Sequence, residues 1–341
     1  MDRQFSDKLV DRRTALKSLA SAGAGLIAFS GAVPAAAANG PAREQSPADL
    51  PGLTAASQGK LQVLLGSGRF SGQIPADLVR ELAKSEQKTA DEIMLALLPL
   101  AQSYSRPPIS DFHVGAVARG ASGSLYLGFN IEIPGQMLGF AVHGEQAALS
   151  SAYMHGEERV EAIGIKGGAP CGHCRQFMNE FSPDGEIAVV IQGMPPMKLQ
   201  ALLPMPFGPK ALGRTEGAVP VRETRLAAAV PASDDVAQAA LDAARKSYSP
   251  YSGSHSGVAI LTRSGRVFSG SYIENVAFNP SLSPLQTALV QMIVAGEDYT
   301  AITRVVLVEA NGAKISQKAV AESVLRALAP SLALERVLAE A

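Results

Sequence analysis

SRPPISDFHVG, residues 105–115, aligns without gaps to SYSPYSGSHSG, residues 247–257, within this chain of 341 residues. The register holds further along, where Gly128–Glu132 matches Gly270–Glu274. Self-similarity at a fixed spacing is the signature of a repeated structural unit. The sequence therefore predicts an internal duplication of one domain.

The first repeat has the pattern of alternating strands and helices. Apolar runs between turn-forming residues predict four strands, at residues 112–118, 124–129, 160–165 and 186–192. Two helices are predicted between them, at residues 145–154 and 175–181. This alternation indicates an α/β sandwich with a mixed sheet. Two earlier helices, predicted at residues 74–84 and 89–102, would form a small helical subdomain.

The composition indicates a globular protein that acts on a small molecule. Hydrophobic residues make up 47% of the chain, which supplies ample core material for two domains. The formal charge of −1 gives no basic footprint for a polyanion, and a nucleic-acid partner is therefore not expected. The two cysteines are too few to staple domains of this size.

Both cysteines belong to a metal-ligand pattern. His143-Gly-Glu145 is followed by Pro170-Cys-Gly-His-Cys174, so His143, Cys171 and Cys174 are candidate zinc ligands. Three protein ligands leave a fourth position open for water, as in catalytic zinc sites. Glu145 remains as a carboxylate that need not bind the metal. H-x-E with P-C-x-x-C is the pattern of zinc nucleobase deaminases, in which the glutamate is the general acid and base.

Two other interpretations of the cysteine pair remain open. A structural zinc site needs a closed shell of four ligands, and His173 would have to supply the fourth. A Cys-x-x-C pair in an exported protein is also compatible with a thiol oxidoreductase. That interpretation leaves Glu145 without a role, and Pro170 stands where a thioredoxin-like site usually has Trp. A zinc-stabilised binding protein without catalysis is the third possibility.

Several segments together resemble the large, two-domain, homodimeric bacterial type of cytidine deaminase. The similarity runs from about residue 61 to the C-terminus and is densest at residues 96–101, 112–116, 170–180, 207–210 and 268–272. It implies a three-layer α/β/α sandwich with a mixed five-stranded sheet, duplicated. It also implies one Zn²⁺ per chain, a homodimer, and hydrolysis of cytidine and 2'-deoxycytidine to uridine and 2'-deoxyuridine in pyrimidine salvage.

The resemblance also implies which residues bind the nucleoside. Asn130 and Glu132 match a pair that hydrogen-bonds the ribose 3'-hydroxyl, and Phe112 and Phe207 match aromatic residues that pack on the pyrimidine. Phe207 is expected to reach across a subunit interface.

Two glycines depart from the family pattern. Gly144 lies in the predicted substrate site where the family often has Ala, and Gly168 stands where it has an aromatic residue. A looser pocket wall is expected at both positions.

The second repeat lacks the chemistry of the first. It has no cysteine, and Pro284-Leu-Gln286 stands opposite His143-Gly-Glu145 if a single-residue shift is allowed. Ser254 and Tyr272 replace Phe112 and Asn130. A non-catalytic, structural domain is therefore expected.

The first 38 residues predict an export signal. Arg12-Arg13 precede an apolar stretch, residues 19–33, and a run of alanines, residues 35–38, which together resemble a twin-arginine signal. Export to the periplasm is expected; a cytoplasmic protein with an amphipathic N-terminal helix or a misassigned start is the alternative. The apolar run is shorter than the roughly 20 residues of a stable membrane span.

The predicted order of domains follows from these segments. It is the signal (1–38), an arm with the helical subdomain (39–88), the catalytic zinc domain (89–212), a linker (213–234) and the degenerate domain (235–341).

Overall fold

The first repeat forms a mixed sheet with helices on both faces. The structure, a computed structural model, describes residues 50–228, 230–231 and 233–340. The first sheet has the order β1-β3-β2-β4-β5-β6, with β4 and β5 parallel and the other neighbours antiparallel. Its elements are α1 (Ala55–Leu65), β1 (Gln73–Ile74), α2 (Ala76–Glu86), α3 (Ala90–Ala96), α4 (Leu98–Ser103), β2 (Gly115–Gly120), β3 (Leu125–Phe129), α5 (Gly144–Met154), β4 (Val160–Lys166), α6 (Gly172–Phe181), β5 (Ala188–Ile191), β6 (Met197–Lys198) and α7 (Leu199–Leu202).

The second repeat builds the same sheet core. Its order is β10-β9-β7-β8, with β9 and β10 parallel, so it matches the central strands of the first sheet. The elements are α8 (Asp235–Arg245), β7 (Ser256–Thr262), β8 (Val267–Ser271), α9 (Pro284–Val294), β9 (Ile302–Ala310), α10 (Lys318–Leu328) and β10 (Leu334–Ala339). The predicted duplicated α/β fold is confirmed. The prediction of five strands is wrong for both sheets: four long strands form each sheet, and the two-residue strands β1 and β6 bring the first to six.

Two glycines in each sheet show why helices pack on both faces. A Cβ on Gly115 would lie 2.6 Å from the carbonyl oxygen of Leu98 in α4, and a Cβ on Gly128 would lie 2.2 Å from the amide nitrogen of Ala148 in α5. Gly115 pairs with Phe129 and Gly128 pairs with Ala116, so the two glycines face opposite sides of the sheet. Only glycine permits such a close approach of helix and strand.

The same approach recurs in the second repeat. A Cβ on Gly257 would lie 2.4 Å from the carbonyl oxygen of Ala240 in α8, and one on Gly270 would lie 2.2 Å from the amide nitrogen of Ala288 in α9. Both repeats are therefore three-layer sandwiches of helix, sheet and helix.

Helices α5 and α9 pack against each other between the two sheets. Every residue of α9 is buried, and so is α5 from Gly144 to Tyr153. A helix that is covered on all sides needs no polar face, which fits the small and apolar residues of both helices. The first and the second repeat thus share one continuous core.

The predicted helix over residues 89–102, the predicted signal and the predicted domain limits have different outcomes. The helix predicted over residues 89–102 is divided at Leu97 into α3 and α4. The predicted signal lies outside the described residues. The domain limits remain predictions, although α8 begins at Asp235, directly after the predicted linker. Within the described part of the chain, no helix has the length and apolar character needed to cross a membrane.

Candidate zinc site and substrate cavity

The three predicted ligands meet where two helices begin. His143 is the N-cap residue of α5, Cys171 is the N-cap residue of α6, and Cys174 follows one turn later. His143 Nδ1 lies 3.5 Å from Cys171 Sγ and 3.3 Å from Cys174 Sγ, and the two sulfurs are 3.6 Å apart. Helix N-termini carry partial positive charge, which favours thiolates there.

These distances fit a tetrahedral zinc ion. With Zn–S bonds of about 2.3 Å and a Zn–N bond of about 2.0–2.1 Å, sulfurs would be about 3.8 Å apart and a sulfur and a nitrogen about 3.5 Å apart. The three ligand atoms all lie within 4.8 Å of one another. Two thiols and an imidazole are the donors that zinc prefers, so the residues fit this ion.

The protonation of the ligand groups is coupled. Contacts with Cys174 and His143 lower the pKa of Cys171, which favours the thiolate form of this sulfur. The same contact with Cys171 raises the pKa of Cys174, and the neighbouring thiolate raises the pKa of His143. Protons are thus shared within the set, and a metal that binds here displaces them.

Glu145 lies beside the ligands but outside their set. It is the second residue of α5, is 5% exposed, and lines a cavity of about 270 Å³ together with His143 and Cys171. Burial raises the pKa of its carboxyl group. A buried carboxyl group with a raised pKa, next to an open metal position, is suited to accept and return a proton near neutral pH.

Asn130 and Glu132 line the same cavity and hold the loop that closes it. Asn130 Oδ1 accepts a hydrogen bond from the amide of Val114, and its Nδ2 donates to the carbonyl of Phe112. Glu132 accepts from the amides of Ile109 and Ser110. Both side chains therefore shape the loop over residues 109–114 in addition to facing the cavity.

The two predicted aromatic residues differ in position. Phe112 lines the cavity and is 55% exposed. Phe207 is 50% exposed and is not among the residues that line the cavity of its own chain. Its role across a subunit interface remains a prediction.

The expectation of a looser wall is wrong at Gly144. A Cβ there would lie 2.8 Å from Cγ1 of Val114, so the side chain of Val114 already fills the space that an alanine would use. At Gly168 the geometry is different. This residue has φ of +153°, a conformation that favours glycine, and a Cβ would have no atom within 4 Å.

Some contacts were missed at the sequence level. His173 lies in the first turn of α6, and its ring stacks on that of His143 with centroids 5.1 Å apart. Ser110, Ala141 and Val142 also line the cavity. The position of residues 141 and 142 directly before a ligand was the only available signal. No side-chain pattern marks them.

The remaining histidines have structural partners. His113 Nδ1 and His255 Nδ1 contact the hydroxyls of Ser105 and Ser247, which are equivalent positions of the two repeats. His155 Nε2 contacts the hydroxyl of Ser71.

The structure corrects the alignment of the second repeat. Helix α9 is capped by Ser283 as α5 is capped by His143, so Leu285 is the counterpart of Glu145. The loop before the helix is two residues shorter in the second repeat, whereas a shift of one residue had been assumed. The second repeat has lost the ligands and the carboxylate in either alignment.

The fold and the site together define a class of zinc-dependent hydrolytic deaminase, in which Glu145 is available for acid-base work. Two matches to the cytidine and deoxycytidylate deaminase zinc-binding region cover residues 88–191 and 199–322. The chain belongs to the cytidine and deoxycytidylate deaminase family. The second match includes the repeat that lacks the ligands.

Three bacterial relatives that match over most of both chains support this membership. The cytidine deaminase of Vibrio vulnificus is 46% identical over 252 residues, which are 74% of this chain and 84% of the relative. That of Shewanella oneidensis is 41% identical, over 80% and 90% of the two chains, and that of Yersinia pestis is 42% identical, over 84% and 96%. A solved cytidine deaminase of Mycobacterium tuberculosis is 26% identical with a TM-score of 0.32, over 36% of this chain and 99% of that one.

Proposed function

We propose that this protein hydrolyses cytidine to uridine and ammonia with one zinc ion per chain. The proposal rests on one observation: His143, Cys171 and Cys174 converge beside a buried carboxylate. That carboxylate, Glu145, lines the cavity and is not needed as a zinc ligand. A purely structural zinc site has no use for such a group. The deaminase relatives provide the substrate class.

Each residue has a defined task in this reaction. Zinc held by the three ligands would lower the pKa of a water molecule and so supply the nucleophile. Glu145 accepts the proton of that water, passes it to N3 of the pyrimidine, and later delivers a proton to the departing ammonia. Attack at C4 makes this carbon tetrahedral, and loss of ammonia leaves the C4 carbonyl of uridine. General acid and base help of this kind is worth roughly 10² to 10⁴ in rate.

The cavity favours a nucleoside over a free base. Asn130 and Glu132 face it with polar groups, and we assign to them the binding of the ribose 3'-hydroxyl. A ligand without that hydroxyl would lose these hydrogen bonds, so we expect free cytosine to bind more weakly than the nucleoside. Because 2'-deoxycytidine keeps the 3'-hydroxyl, it is included as a substrate, and a role in pyrimidine salvage follows from these products.

Glu145→Gln tests the proposed chemistry. The amide has almost the same shape but cannot take the water proton, so we expect cytidine turnover to fall by at least about 10² to 10⁴ while bound zinc stays near one per chain. Loss of cytidine absorbance and elemental analysis measure the two quantities. Zinc-loaded wild-type protein that leaves cytidine unchanged, or undiminished turnover in Glu145→Gln, would refute the assignment.

A homodimer is proposed in which Phe207 serves the partner's cavity. Support comes from its 50% exposure outside its own cavity and from exposed apolar residues near the loop before His143, Met137 and Leu138. Sedimentation measures the assembly state. Mixing Phe207→Ala with Glu145→Gln under subunit exchange should restore part of the activity, because one hybrid cavity has both groups intact. No gain on mixing would argue against a role in trans.

Export is proposed on the sequence of the first 38 residues, with Arg12-Arg13 as the recognition element. Twin-arginine export carries folded protein, so the two cysteines would bind zinc before they reach an oxidising compartment. Cell fractionation with an Arg12→Lys, Arg13→Lys variant tests the signal. Equal amounts of both proteins in the cytoplasm would contradict it.

A further inference from the structure

The two helices at the centre of the molecule begin with the same buried glutamine. Gln146 is 1% exposed and Gln286 is 5% exposed, and both stand three residues after the N-cap residue of their helix. In each case the side-chain oxygen accepts from the amide of that N-cap residue. The distances are 3.2 Å for His143 and 3.1 Å for Ser283.

The side-chain amide nitrogen of each glutamine donates a hydrogen bond to a backbone carbonyl of the other repeat. Gln146 Nε2 donates to the carbonyl of Pro280 at 2.9 Å, and Gln286 Nε2 donates to the carbonyl of Phe140 at 2.8 Å. Phe140 and Pro280 each stand three residues before the N-cap residue of their own repeat. The exchange is therefore reciprocal, as if the repeats were related by a two-fold axis.

One of the two segments that accept these hydrogen bonds leads to a candidate zinc ligand. Phe140 begins the short segment that leads to His143, and Val142 in that segment exchanges backbone hydrogen bonds with Ile131. The backbone of His143 is thus fixed on one side by Gln146, whose orientation is set by Pro280, and on the other side by the bond from Gln286 to Phe140. Both outer partners, Pro280 and Gln286, belong to the repeat without ligands.

We propose that Gln286 is a positioning residue for the zinc ligand His143, and that the second repeat acts on the metal through it. Its role depends on the zinc site proposed above. Residues that orient a ligand without touching the metal typically change metal affinity by about 10–100-fold when they are replaced. Both functions of the Gln286 amide are used and the residue is buried, so loss of the donor removes this partner from the carbonyl of Phe140.

Two substitutions isolate the donated bond. Gln286→Glu keeps the oxygen that accepts from Ser283 but places a second oxygen against the carbonyl of Phe140. Gln286→Met keeps the volume and loses both polar functions, and it covers the case in which the buried charge of Gln286→Glu prevents folding. Ser283→Ala is the matched control, because it removes the hydroxyl that caps the same helix and leaves the bond to Phe140 in place.

The measurement is zinc release from the full-length holoenzyme to a chromophoric chelator, beside thermal unfolding and the values of kcat and KM in excess zinc. We expect both Gln286 variants to release zinc about tenfold faster than wild type, with KM unchanged. Ser283→Ala should lower the unfolding temperature and release zinc at the wild-type rate.

Equal release rates for wild type and both Gln286 variants would overturn the proposal. So would faster release in Ser283→Ala that matches the Gln286 variants, since destabilisation of α9 would then explain both. Wild-type protein that holds no zinc would instead refute the zinc site itself, so the two failures can be told apart.

Discussion

The two repeats have one scaffold, and only one of them has the chemistry. The glycines that admit helices to the sheet are kept in both, as is the capping glutamine of the central helix. The differences that remove the chemistry are side chains at the ends of strands and helices. Ser283 occupies the position in the second repeat that is equivalent to His143, and Leu285 occupies the position equivalent to Glu145. Fold and catalysis are therefore specified by different residues of the same element.

The comparison also separates the roles of cavity residues. Glu132 and its counterpart Glu274 both accept hydrogen bonds from two successive amides of the preceding loop. This contact persists where there is no catalysis, so part of the role of Glu132 is to hold the loop. Asn130 is replaced by Tyr272, which is 4% exposed. The contacts of Asn130 are thus specific to the catalytic repeat.

Conversion of a ligand to its counterpart in the second repeat should have the largest effect. His143→Ser places at the start of α5 the residue that caps α9, where Ser283 Oγ accepts from the amide of Gln286. Serine is a favoured N-cap residue, so the helix should keep its start. We expect zinc to be lost and cytidine turnover to fall below detection, with the far-ultraviolet circular dichroism unchanged.

The outcome decides whether fold and ligand can be separated at this position. Elemental analysis and turnover give the loss, and chelator-treated wild type is the control for the stability that zinc itself contributes. If His143→Ser unfolds while zinc-free wild type stays folded, the histidine is needed for the fold as well, and the parallel with Ser283 fails.

Alanine at the glycines beneath the central helices should have the next largest effect. In Gly128→Ala the new Cβ would lie 2.3 Å from the carbonyl of Gly144, and in Gly270→Ala it would lie 2.4 Å from that of Pro284. Backbone must move in both, so we expect each to lose about 3 kcal/mol or more of unfolding free energy, the upper range for overpacking. Only Gly128→Ala displaces the helix that carries Glu145.

The ratio of kcat in these two variants measures whether strain beneath α5 affects catalysis more than strain beneath α9. Denaturant unfolding should give similar losses of stability for both, whereas kcat should fall severalfold further in Gly128→Ala. An equal fall of kcat in Gly270→Ala would show that strain in the second repeat reaches the cavity as strongly as strain in the first.

The paired glutamates should show a smaller and more selective effect. Glu132→Ala and Glu274→Ala each remove a carboxylate that accepts two backbone amides, so each should cost about 2 kcal/mol of stability, within the range for hydrogen bonds to charged groups. Glu132→Ala should also raise KM for cytidine by about tenfold, which corresponds to 1.4 kcal/mol of binding. KM should be unchanged in Glu274→Ala, and a rise there would contradict the division of roles.

The sequence was sufficient for the fold class, the duplication and the ligand set, because these depend on local patterns and on donor chemistry. His143, Cys171 and Cys174 could be grouped without coordinates, since zinc restricts both the type and the number of its ligands. The fit of Val114 against Gly144 could not be predicted, because it depends on side-chain packing between a loop and a helix.

The reciprocal glutamines were also beyond prediction. Nothing in the sequence around Gln146 and Gln286 distinguishes a buried capping residue with a distant partner from an ordinary one. Their partners, Pro280 and Phe140, lie 134 and 146 residues away along the chain, and the bonds go to backbone carbonyls, which leave no trace in residue type. Alignment of the repeats failed by one residue at the same place.

The smallest effect is expected at Phe112, whose counterpart is Ser254. Phe112 is 55% exposed, so Phe112→Ser should change the unfolding free energy by less than about 1 kcal/mol. If its ring packs on the pyrimidine, loss of that contact should cost about 0.5–1.5 kcal/mol, which raises KM by roughly two- to tenfold with kcat little changed. Steady-state kinetics with cytidine measures both.

Ser254→Ala is the control on the other repeat. This serine is fully buried, and its hydroxyl has no partner among the described residues. Removal of the hydroxyl should therefore leave KM unchanged and the unfolding free energy equal or slightly higher. An unchanged KM in Phe112→Ser would mean that the ring covers the loop rather than the substrate, and the aromatic difference between the two repeats would then have no bearing on catalysis.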